Sequence, residues 1–82
     1  MIKIKLDEPI KIDGVLLNEI SLREPKVRDI IAISKDSSSD YEKEVRLVAN
    51  LSEQSTEAIM EISYKDYAKV QKVIRDFLAP AE

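Results

Sequence analysis

The side chains best suited to chemistry in this chain are its carboxylates, 16 Asp and Glu against 13 Lys and Arg, with no histidine and no cysteine. Paired carboxylates run general acid–base reactions, and oxygen-rich loops hold calcium. Asp36, Ser38 and Asp40 stand at the alternate spacing of a calcium loop. The match ends there, because Tyr41 occupies the position that needs glycine for a sharp turn and Leu47 the position that needs a closing bidentate glutamate. Without His or Cys there is no disulfide framework, no thiol nucleophile, no zinc site of ordinary ligand type and no imidazole to move protons at neutral pH. The single glycine, Gly14, excludes the phosphate-cradling loops that need several. No cofactor is implied.

The remaining signals read more simply. Asp36-Ser37 is similar to the pantetheine-bearing serine site of carrier proteins, but those are helical bundles and this chain opens on strands. The lysines are spread over the whole chain, the tyrosines do not interleave with them, and the net charge is −3, which disfavours nucleic acid. Asn50-Leu51-Ser52 is formally a glycosylation sequon, without meaning in the absence of a secretory signal. The N-terminus alternates lysine with apolar residues instead of forming a signal-peptide core, and no run approaches the roughly 18 apolar residues of a membrane span. A cytoplasmic protein with no membrane partner is expected. At 82 residues and 44% apolar it reads as one small domain. Such a domain buries only about 60% of its unfolded surface, so an oligomer or a partner would add to its stability.

The elements follow from periodicity. Ile2, Ile4 and Leu6 alternate with Lys3 and Lys5, and Ile10 and Ile12 resume the alternation after a predicted bend or bulge at Asp7 to Pro9. Asp13-Gly14 suits a type I′ hairpin turn. In the second strand, Val15 to Leu22, Leu16, Ile20 and Leu22 share one parity and Val15 and Leu17 the other, which leaves its buried face open. Glu24-Pro25 ends the hairpin. Val27, Ile30, Ile31 and Ser34 then predict an amphipathic helix with its apolar stripe inward and Lys26, Arg28, Asp29 and Lys35 outward, stopping by Asp36. Asp36 to Asp40 reads as a mobile hinge. Ser39 and Glu42 form a capping-box pattern that opens a second helix with Tyr41, Val45, Val48 and Leu51 as its stripe and Leu47 at the edge. A short third helix capped by Ser55 or Ser52 runs to about Ile62. Ser63 and Asp66 open the last helix, whose inner face is Tyr67, Val70, Val73, Ile74, Phe77 and Leu78, and Pro80 ends it before a frayed tail.

The order of these signals resembles a known group. Glu8-Pro9-Ile10, Asp13-Gly14, Leu22-Arg23-Glu24-Pro25-Lys26 with Asp29-Ile30, Leu51-Ser52, Asp66-Tyr67 and Phe77-Leu78 together are similar to the tail assembly chaperones of contractile-tailed phages, the group of P2 protein E and Mu-like protein 41. The resemblance spans nearly the whole chain. It implies a phage or prophage protein that binds the helix-rich tape measure protein in the host cytoplasm, keeps it soluble until the tail tube polymerises, and is absent from the mature virion. It also implies a longer product made by a −1 ribosomal frameshift that recruits tail tube or other tail proteins. Asp76-Phe77-Leu78 permits a slippery thymidine run, depending on the codons of Phe77 and Leu78.

The expectation is an α+β fold, an N-terminal β-hairpin over 1–23 followed by three or four helices over 25–79, in one domain over 1–82. It is a non-enzymatic chaperone with no cofactor and no metal. Leu22, Arg23, Pro25 and Asp29 are candidate partner-binding residues, although Arg23 and Asp29 pairing across the turn would make the motif a structural latch. Val70, Ile74 and Phe77, with the hairpin, are the candidate docking face. The alternative is a small bacterial adaptor or antitoxin-like protein that binds a partner helix.

Overall fold

Asp13 and Gly14 adopt positive φ, 50° and 81°, and fold β1 (Ile2–Ile12) back on β2 (Val15–Leu22) in the geometry that a type I′ turn demands. The computed structural model describes residues 1–79, so the predicted end of order at Pro80 lies outside the described residues. Four helices follow the hairpin: α1 (Val27–Ser34), α2 (Asp40–Ser52), α3 (Thr56–Met60) and α4 (Tyr64–Leu78).

The register explains the mixed parity of β2. Ile4 pairs with Ile20 and Lys5 with Glu19, whereas Ile10 pairs with Leu17 and Ile12 with Val15. Leu6, Asp7, Glu8 and Pro9 therefore stand opposite Asn18 alone, and an odd excess of residues changes which parity of β2 faces inward. Ile20 and Leu22 are buried before the change, Leu17 is half-buried after it, Asn18 and Glu19 are both exposed at the crossing, and Leu16 faces solvent.

One side of the hairpin packs on the helices. Ile4, Leu6, Ile10, Ile20 and Leu22 join Leu47, Val48 and Leu51 of α2, Ile59 of α3, and Tyr67, Val70 and Ile74 of α4 in a single core. Leu47, predicted at the edge of its stripe, is 3% exposed, whereas Tyr41, predicted within it, is 56% exposed, with its hydroxyl 3.1 Å from that of Tyr64. Ser39, Ser55 and Ser63 each accept a hydrogen bond from the backbone N–H three residues on, which fixes where the last three helices start. The predicted hinge is tied: Asp36 accepts from the Ser38 N–H at 2.9 Å and from Arg46 Nη1 at 2.6 Å.

Candidate functional site

The strand-to-helix turn is built around one buried carboxylate. Pro25 supplies a fixed φ and no N–H just before α1, so the chain turns sharply after Arg23. Arg23 then reaches forward over the turn and donates two parallel hydrogen bonds to Asp29, Nη1 to Oδ2 at 2.8 Å and Nη2 to Oδ1 at 3.0 Å. The Lys26 N–H donates to Asp29 Oδ2 at 2.7 Å, which caps the helix, and Asn50 Nδ2 of α2 donates to Oδ1 at 3.2 Å. The Arg23 backbone N–H also donates to the Leu51 carbonyl at 3.1 Å. Asp29 is 2% exposed, and these donors, led by Arg23, hold its pKa at about 2, below the ordinary carboxylate value. The same contact raises the Arg23 pKa.

This carboxylate sets the roll of α1. An aspartate that faces inward places the positions on the opposite side of an eight-residue helix in water. Val27, Ile30 and Ile31 are 76%, 38% and 48% exposed, and Ser34 is exposed with them. Ile33 is instead the side chain that packs against the core. The predicted burial of the Val27, Ile30, Ile31 and Ser34 stripe is thus corrected, and so is the outward placing of Asp29. Hydrophobic periodicity located the helix but not its orientation, because a multiply bonded carboxylate outweighs the partial burial of a few aliphatic side chains. The Arg23–Asp29 pairing was available from the sequence. The contribution of Asn50, 21 positions further on, was not.

The candidate binding residues divide by burial. Leu22 is 0% exposed, Val70 0% and Ile74 3%, so all three belong to the core. Phe77 is half-buried against that core, while Arg23 and Pro25 are half-buried at the turn. Apolar side chains also emerge elsewhere: Tyr41 and Tyr64 meet hydroxyl to hydroxyl at 3.1 Å beside exposed Met60, and Val15 and Leu16 project from the hairpin end.

A second buried carboxylate holds the bulge. Asp66, 0% exposed at the start of α4, accepts from the N–H groups of Asp7 at 2.9 Å and Glu8 at 3.0 Å, and Pro9 brings no third donor. Ser63 Oγ and Lys69 Nζ complete its shell at 3.2 Å and 3.0 Å. Its pKa falls well below the ordinary value, chiefly through the Glu8 and Asp7 N–H groups. The Ser63–Asp66 spacing does open the helix, but the carboxylate spends its lone pairs across the fold on β1 and on the cap hydroxyl.

Among the described residues no three His, Cys, Asp or Glu side chains gather to hold a metal, and no helix is long and apolar enough to cross a membrane. The carboxylates whose pKa clearly moves, Asp29, Asp36 and Asp66, all move down, each under donors that hold backbone or loop in place. Such groups are poor proton donors at neutral pH. A family model described as "Phage tail assembly chaperone proteins, E, or 41 or 14" matches residues 3–79. No curated protein and no solved structure matches the chain.

Proposed function

The chain belongs to the phage tail assembly chaperones, a non-enzymatic family, and on that premise we propose that it binds the tape measure protein and keeps it soluble until the tail tube assembles. The observation that carries this reading is the outward roll of α1, which sets Val27, Ile30 and Ile31 in water on a domain whose core is complete without them. Before the tube forms, a long helical protein exposes apolar stripes that aggregate. A small domain of net charge −3 covers such a stripe and lends the complex its own solubility. The tube subunits must later displace it, which suits a modest contact repeated along the partner more than one tight site. The protein then acts in the host cytoplasm and leaves before the virion is finished. A frameshifted longer form that recruits tail tube or other tail proteins belongs to the same reading, and the codons for Phe77 and Leu78 decide whether the slippery run exists.

Co-expression tests the proposal. The tape measure protein encoded in the same tail operon should be insoluble alone and should move to the soluble fraction with this chain present. A tape measure protein whose solubility is indifferent to the chain would refute it. The adaptor or antitoxin-like alternative has no structural observation of its own in its favour, and a toxin gene paired with the locus would be needed to revive it.

A further inference from the structure

The outer face of α1 carries a charge pattern that specifies what it covers. Val27, Ile30 and Ile31 stand at i, i+3 and i+4 and form one ridge. At about 100° per residue, Arg28 and Lys35 fall together along one edge of that ridge, and Lys26 stands at its N-terminal end. All three cations are exposed, and among the described residues none forms an ion pair. The acids of the same stretch are already engaged, Asp29 with Arg23 and Asp36 with Arg46. Glu24, also exposed, lies before the helix begins. A chain of net charge −3 therefore presents here an aliphatic ridge with a positive border.

We propose that this face takes an amphipathic helix of the tape measure protein whose apolar stripe is edged by Asp and Glu. The partner's aliphatic side chains cover Val27, Ile30 and Ile31, and its carboxylates meet Arg28 and Lys35. This rests on the chaperone reading and adds to it the surface and the chemistry of the bound segment. A ridge at helical spacing fits the groove of another helix better than it fits an extended strand.

The test uses the full chain and two synthetic amphipathic peptides of about three heptads that share one leucine stripe and differ only in flanks, glutamate in one and lysine in the other. The glutamate-flanked peptide should bind about tenfold tighter at low salt, with the gap closing as salt rises. Arg28→Glu with Lys35→Glu should reverse that preference. Val27→Ser with Ile31→Ser should abolish binding of both peptides while the circular dichroism and melting temperature stay those of the parent. Equal or reversed preference in the parent chain would overturn the proposal, as would full binding by the Val27/Ile31 variant. So would unfolding of that variant, which would place the ridge in the core, or self-association of the parent that the variant abolishes, which would make a second copy the occupant. If the parent chain keeps the tape measure protein soluble while the two peptides bind alike, this surface falls and the chaperone reading stands. If the tape measure protein is indifferent to the chain, the chaperone reading itself falls.

Discussion

At the scale of single residues, the carboxylates act as structural acceptors. Asp29 joins a turn, a helix cap and a neighbouring helix, so Asp29→Ala leaves the Lys26 N–H, the Arg23 guanidinium and the Asn50 amide without their acceptor. It should cost about 2–3 kcal/mol, read as a lower urea midpoint. Arg23→Ala separates two roles for the motif: a chain that loses its fold supports the latch, and a folded chain that loses the tape measure protein supports direct contact. The pH dependence follows from the direction of the shifts. Asp29 titrates at about 2 in the folded chain and near its ordinary value of 3.8 in the unfolded one, and Asp66 is shifted down in the same sense. The stability they contribute is complete above the unfolded value and is lost as pH falls through that value toward the folded one. Urea midpoints should therefore be flat from neutrality to about pH 5 and drop between about pH 4 and pH 2. Asp66→Asn should flatten the drop. It should also destabilise the protein at neutral pH, because an amide nitrogen would face the Asp7 or Glu8 N–H or leave it unpaired.

At the scale of elements, α1 shows how a polar anchor overrides an apolar pattern. The orientation has a direct test in two neighbouring isoleucines. Ile31→Asp, on the outer face, should change stability by no more than about 0.5 kcal/mol. Ile33→Asp, packed against the core, should cost at least about 2 kcal/mol in the same denaturation experiment. The reverse order would mean that α1 buries its aliphatic stripe after all. The hairpin makes the same point in another form. Its bend at Asp7 to Pro9 is readable from Pro9 and the interrupted alternation, whereas the partner that satisfies the freed N–H groups comes from α4, 59 positions beyond Asp7.

At the scale of the whole molecule, one core joins the hairpin to α2, α3 and α4, while α1 lies on it through Asp29 and Ile33. A chain this small has little stability in reserve. Val70 is 0% exposed and Ile74 3%, so Val70→Asp or Ile74→Asp should unfold the protein outright, with circular dichroism as the readout. A variant that stayed folded and lost only the tape measure protein would restore α4 as a docking face. With α4 turned inward, the larger exposed aliphatic side chains include Val27, Ile30 and Ile31 of α1, Val15 and Leu16 at the hairpin end, and Ile2 and Leu78.

Turn chemistry, caps and long periodic stripes are written in neighbouring residues, which made the hairpin with its Asp13–Gly14 turn, the serine-capped starts of the last three helices, the family, and the inner face of α4 from Tyr67 to Phe77 legible in the sequence; Leu78, predicted on that face, is instead 45% exposed. Only the tertiary structure decided the parity of β2, the roll of α1 and the fate of Asp66. Each of these depends on a pairing that local periodicity does not encode: the register of Asn18 opposite the bulge, Arg23 and Asn50 on Asp29, and Asp66 on Asp7 and Glu8. Local pattern gives the apolar surface of an element, and the buried polar groups of the assembled fold determine whether that surface faces the core or solvent.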